Sequence, residues 1–305
     1  TIQYQNSIYQ AQHQFKRYFI TNLIYVISFI TALGIQILGY GQPDLITIIN
    51  LMLLSIIPTV LVSIIRGEFR ILKPNKSTFI ELMHFGKYAS GTNLLSLLFQ
   101  RVDLLMINYF LDPTAVAIFH FANKIITYSE LPLQALSQVI YPRIATSHLK
   151  NNGIELNKTY GSSILQILVF IIPMSMGVII FHNTIINLIG SESYESASTV
   201  IIILCIASFF KPWGRVFGLT LDAVGKPKVN FYMLTFSLLV NVLMNWLLIP
   251  MYGINGAAIA TSSSVIITII IGQLNIRKTL NIHPINEVIN SLKSFYPDKL
   301  SKSWN

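Results

Sequence analysis

Charged residues make up only 11% of this 305-residue sequence, where a water-soluble domain carries about 25%. That scarcity excludes an ordinary soluble fold, because a water-facing surface needs charge however large the core beneath it. A single cysteine, Cys205, excludes an internal disulfide and a cysteine metal cluster. Its apolar flanks mark it as a buried, inert thiol. Nucleotide and hydrolase motifs are missing too: there is no G-x-x-x-x-G-K-[ST] loop, no H-E-x-x-H, no C-x-x-C and no G-x-S-x-G. No ATP-driven engine, cofactor, metal site or catalytic cluster is therefore expected, and the chain is not read as an enzyme. The net charge of +9 does not indicate nucleic acid, since the basic residues come in small groups between long apolar runs.

Hydrophobic residues, at 53%, dominate what is present. A bilayer core of about 30 Å needs roughly 20 apolar residues in a helix. Eight stretches meet that length: residues 18–38, 45–65, 89–110, 115–141, 162–181, 197–222, 229–249 and 253–273. Pro58, Pro132, Pro173 and Pro212 fall within them and predict kinks. Every Lys and Arg outside a span lies in alternate connections: Lys16 and Arg17, then Arg66 to Lys87, then Arg143 to Lys158, then Lys226 and Lys228, then the tail from Arg277. The positive-inside rule makes that side cytoplasmic, with both observed ends on it. The Gln-rich segment 1–17 is expected as a short helix along the inner interface. The tail 281–305 is too short to be a domain.

Arg101, Lys124, Lys211 and Arg215 sit within spans, with Asp103, Glu130 and Asp222 as acidic companions. A charge at the bilayer centre costs roughly 2.5–3.5 kcal/mol even on a lenient insertion scale, so such residues are functional candidates by default. Arg101 lies roughly 17 Å from the inner edge of its span, and Lys124 roughly 14 Å from the outer edge of the next. Both are thus near mid-membrane. Lys211 and Arg215 are four apart and share one helix face. The four together are the candidate substrate-binding residues, a cationic cavity suited to phosphate or pyrophosphate. In the competing reading Lys124 neutralises Asp103, and Arg215 snorkels to the inner surface. Asp103 and Glu130 are candidates for proton or sodium coupling, although Glu130 and Asp222 also read as structural pairing. Asn241 and Asn245 read as interhelical hydrogen bonding, and the small-residue run 253–264 as close helix packing.

Several stretches carry a family resemblance. They are Arg101-Val-Asp103-Leu-Leu-Met-Ile-Asn-Tyr-Phe-Leu111, Phe119-His-Phe-Ala122-Asn-Lys124, Tyr141-Pro142-Arg143, Leu221-Asp-Ala223-Val-Gly225-Lys-Pro227, Leu248-Ile-Pro250 and Gly253-Ile-Asn-Gly256-Ala-Ala-Ile-Ala260-Thr261. With them the chain resembles a polysaccharide-biosynthesis flippase of the O-antigen/teichuronic type. That family belongs to the group that includes the multidrug MATE exporters and the lipid II flippase. The usual Gly-Tyr-Tyr character of the second stretch is altered here. The resemblance implies an all-α, two-lobe MATE-like fold of twelve or more spans, of which the first four are not in this chain. Residues 1–66 would be an interfacial segment plus the last two helices of the N-terminal lobe, 67–280 the six-helix C-terminal lobe, and 281–305 a cytoplasmic tail.

The resemblance also implies a function. The family exports an undecaprenyl-pyrophosphate-linked oligosaccharide across a bacterial cytoplasmic membrane, by alternating access, for surface polysaccharide assembly. Membrane lipids, a polysaccharide polymerase and glycosyltransferases would be its partners. The alternative on the same fold is a MATE-type cation-coupled drug antiporter, which calls for an acidic cavity where this sequence supplies a basic one.

Overall fold

The computed structural model describes residues 2–12, 14–65, 75–149, 153–190 and 192–295. Arg66, Arg70, Lys73, Lys150 and the tail basic residues Lys299 and Lys302 lie outside the described residues. Among those described, every regular element is helical.

The first compact unit is Thr1–Thr78. It holds α1 (Ile2–Ala11), α2 (Phe15–Tyr40), α3 (Leu45–Leu54) and α4 (Ile56–Ile65). The expected short N-terminal helix is present. It packs on α2 and α4, and the amides of Asn6 and Asn22 exchange hydrogen bonds of 3.2 and 3.3 Å. The Asp44 carboxylate accepts from the Thr47 backbone N–H at 2.9 Å and starts α3. The bonds with Thr47 hold the Asp44 pKa below the ordinary carboxylate value. The helix breaks at Ser55, whose hydroxyl donates back to the Leu51 carbonyl at 2.7 Å. Such back-bonding bends helices, and Pro58 removes a further backbone donor three residues on.

The second unit is Phe79–Asn305. Its helices are α5 (Lys76–Phe110), α6 (Pro113–Ser129), α7 (Leu131–Leu149), α8 (Gly153–Ile189), α9 (Ala197–Ser208), α10 (Lys211–Ala223), α11 (Pro227–Leu280) and α12 (Pro284–Phe295). Asp112 caps α6 through the Ala115 N–H at 2.8 Å, with Pro113 at the first turn. The tail residues 284–295 form an amphipathic helix that packs against α8. It approaches so closely that a Cβ at Gly161 would meet the Glu287 backbone.

The 54 residues of α11 would run about 80 Å if straight. They do not. Gly253 has φ 59° and ψ −137°, a backbone conformation that suits glycine. The side chains of Asn241 and Thr261 meet at 3.4 Å although they are 20 positions apart, where a continuous helix would separate them by about 30 Å. The element is therefore a hairpin of two antiparallel arms. A Cβ at Gly256 would overlap the Leu248 carbonyl oxygen. The small-residue run thus serves close packing of one arm on the other.

Two apolar clusters fill the second unit. One contains Ile140, Tyr160, Ile164, Phe217, Leu221 and Ile276, near the ends of α11. The other contains Ile107, Phe119, Ile186, Ile201, Ile249 and Ala257, near its turn. Outside them the surface is strongly apolar: Leu188 is 83% exposed, and Leu38 in the first unit 91%. An apolar surface of this extent belongs in hydrocarbon, and the chain is a multi-pass membrane protein. Length and apolarity mark four crossing helices among the described residues: Phe15–Tyr40, Leu45–Val62, Gly153–Ile189 and Pro227–Leu280. The pair Ala197–Ser208 and Lys211–Ala223, bent by 47°, makes a fifth. The sequence led us to expect eight. The shortfall comes from the charges of α5, from the break between α6 and α7 at Glu130, and from the merging of the two arms of α11.

Replacing Gly256 with Ala should lower stability by about 1–3 kcal/mol, since backbone on the facing arm cannot move aside. Gly34→Ala, with open space around it, is the matched control. Thermal melting in detergent should show a lowered Tm for the first and none for the second; equal melting would contradict the tight hairpin.

Candidate functional site

A cavity of about 380 Å³ opens between α5, α6, α10 and the second arm of α11. On α6, His120, Asn123, Lys124 and Thr127 recur at helical spacing and face it together. Arg101 and Asp103 reach it from α5, Glu130 from the end of α6, Lys211 from the start of α10, and Thr261 from α11. Three of the four predicted cations thus line one space. Arg215 does not. It lines a neighbouring cavity of about 270 Å³ that shares Lys211, and its Nε donates to Ser137 Oγ at 2.7 Å.

The four cations differ in how far their charge is already answered. Lys211 Nζ lies 2.6 Å from Glu130 Oε1. Lys124 stands 5.6 Å from the centre of the Tyr128 ring, within cation–π range. Among the described residues neither Arg101 nor Lys124 has an ion-pair partner. The lining carries three basic side chains against two acidic ones.

Asp103 is 3% exposed. Its Oδ1 accepts from Asn245 Nδ2 at 2.7 Å and Asn241 Nδ2 at 3.1 Å. Its Oδ2 accepts from Thr261 Oγ1 at 2.7 Å. Asn245 also donates to Asn241 Oδ1 at 3.1 Å. Lys124 is not its partner, so the alternative pairing of Lys124 with Asp103 fails. The physical reason is register: Asn241 and Asn245, one helical turn apart, both reach the carboxylate and, with Thr261, satisfy it with neutral donors. Their interhelical hydrogen bonding, expected from their spacing, is present, but it converges on a carboxylate. Asn245 Oδ1 is buried without a hydrogen-bond partner. The cluster thus sets three neutral donors on a buried carboxylate, with Asn245 Oδ1 left over as a buried acceptor. Among the described residues no group of three His, Cys, Asp or Glu side chains could hold a metal ion.

Asp222 accepts from Asn230 Nδ2 at 3.2 and 3.3 Å, a structural tie between α10 and α11. Asn123, Thr127 and Thr261 were not singled out from the sequence. The polar stripe of α6 was a usable signal for the first two. Thr261 needed the hairpin.

A "Probable low-salt glycan biosynthesis flippase" of Haloferax volcanii is 25% identical over 192 residues, covering 63% of this chain and 41% of that protein. A solved MATE transporter in its straight conformation superposes with a TM-score of 0.79 at 14% identity, over 90% of this chain and 65% of that one. The lipid II flippase MurJ, inward closed, gives 0.60 at 20% identity, over 94% and 62%. These likenesses establish a MATE-like fold. The chain spans less than two thirds of the length of each of these three proteins. The model of the family described as "Polysaccharide biosynthesis protein" matches residues 1–199, and the chain belongs to that family.

Proposed function

We propose that this chain is part of a flippase that carries an undecaprenyl-pyrophosphate-linked oligosaccharide across a bacterial cytoplasmic membrane by alternating access. The observation that carries this reading is the pair Arg101 and Lys124: two cations without ion pairs, on consecutive helices, facing one cavity inside a membrane-spanning unit. Such groups are kept in a membrane when they meet an anion. A diphosphate supplies it, while the lipid tail stays in the bilayer. Lys211 adds to the site and Arg215 to its neighbouring cavity. Relatives named for glycan and lipid II flipping support the same cargo class, with polymerase and glycosyltransferases as neighbours in the pathway.

Eight crossings are consistent with the helices when α3–α4, α6–α7 and α9–α10 each count once and α11 twice. The alternation of basic residues supports both described ends on the cytoplasmic side. Residues 67–280 form the C-terminal lobe in this reading, and α12 belongs to the cytoplasmic tail. Outward movement of negative charge is favoured by an inside-negative potential, by about 2.3 kcal/mol per charge per 100 mV. Asp103 in its cradle of Asn241, Asn245 and Thr261 is the stronger candidate for ion coupling, because Glu130 is already paired with Lys211.

The complete gene expressed in a flippase-deficient strain should restore surface polysaccharide, and Arg101→Ala and Lys124→Ala at matched expression should each reduce it about tenfold or more. Resistance to cationic drugs without restored polysaccharide would instead establish the antiporter.

Coupling at Asp103 has its own test, ion-specific thermal stabilisation. A bound cation at a hundredfold excess over its Kd stabilises by about 2.7 kcal/mol. Sodium should therefore raise the Tm of the wild type relative to choline, and Asp103→Asn should abolish the rise. A rise with acidification instead of sodium identifies the proton; no ion-dependent shift removes Asp103 from the coupling role.

A further inference from the structure

The helix that follows the last apolar run has three different sides. Successive residues of α12 (Pro284–Phe295) are turned by about 100° around its axis. Glu287, Val288 and Ser291 form one arc, which is turned to the protein. Val288 joins the cluster of Tyr160, Ile164 and Ile276, and the Glu287 backbone lies against Gly161 of α8. Ile285, Ile289 and Leu292 form a second arc and are 70%, 45% and 44% exposed. Asn286, Asn290 and Lys293 form the third and are also exposed. Each arc takes about a third of the circumference. A helix lying between protein and water needs one apolar face and one polar face. The second apolar face of α12 needs a third medium.

The level of α12 is fixed twice. The apolar run 162–181 begins one residue after Gly161, and the run 253–273 ends at Gln273. Gln273 Oε1 accepts from the Tyr160 hydroxyl at 2.8 Å, so the two runs end at one height. α12 meets α8 at that height, where the hydrocarbon ends. Its flanks agree. A groove of about 500 Å³, lined by polar side chains of α8, runs along the Glu287, Asn290 and Ser291 side of α12 and suits water. The apolar stripe lies on the other flank.

We propose that α12 is a membrane-surface helix whose partner is the phospholipid leaflet beside the start of α8 and the end of α11, the inner leaflet in the topology above. Ile285, Ile289 and Leu292 enter the boundary between headgroups and acyl chains. Lys293, beside the stripe, extends towards the lipid phosphates. Val288 and the preceding Ile282 belong to the apolar cluster of the second unit, so the helix ties that core to the leaflet. This role is independent of the cargo.

The test is spin labelling of the chain in nanodiscs of phosphatidylethanolamine and phosphatidylglycerol. Cys205 is buried, so an introduced, exposed cysteine is the one that reacts. Collision of the label with oxygen, which concentrates in lipid, is compared with collision with a water-soluble nickel chelate. Oxygen should dominate at Ile285→Cys, Ile289→Cys and Leu292→Cys, and the chelate at Asn286→Cys and Asn290→Cys. The logarithm of the collision ratio then changes sign between the neighbouring positions 289 and 290. All five side chains are exposed, so a label displaces no core packing, and a variant that melts early leaves the others to carry the test. Dominance of the chelate at all five positions overturns the proposal, because the stripe then lies in water. Weak collision with both reagents along the stripe overturns it as well, because a second copy or another protein then covers it.

Discussion

Inside hydrocarbon a polar group has no water to fall back on, so each one must be satisfied by its own chain. The carboxylate of Asp103 is the strongest case in this molecule. It is held by two amides and a hydroxyl drawn from both arms of α11. That requirement fixes much else. The arms must lie antiparallel and close, which the turn at Gly253 and the bare Cα of Gly256 against Leu248 permit. With the arms tied to α5 through Asp103, Arg101 two residues earlier lines the cavity that α6 also faces.

The polar layer and the helix breaks occur together. Glu130, Ser208 and Lys211 sit where α6, α9 and α10 end or begin, and the two apolar clusters lie to either side of them along the chain. A helix end leaves backbone groups unsatisfied, so a break in mid-membrane demands polar company. Pro132 and Pro212 lie within two residues of these interruptions. By contrast Pro173 is carried within the continuous α8. A proline is thus a break here only where polar side chains gather around it.

Charge in the cavity is less uniform than a count of basic residues suggests. Lys211 is answered by Glu130, Arg215 is directed to Ser137, and Asp103 is held apart by neutral donors. Arg101 and Lys124 line the cavity without an ion pair among the described residues, beside the paired Lys211.

Composition, apolar run length and the alternation of basic residues determined by themselves that the chain is helical and membrane-embedded, because the bilayer imposes those constraints on each segment separately. The intramembrane charges were legible for the same reason: any charge in a 20-residue apolar run stands out. Residue spacing also carried Asn241 and Asn245 as a hydrogen-bonding pair. Partner choice was not legible. Whether Asp103 meets Lys124 or the two asparagines depends on the rotation of α5 against α11. Whether Lys211 is free or paired depends on the bend that brings α10 to the end of α6. Those are relations between segments far apart in the chain, and only the packing of one helix on another decides them.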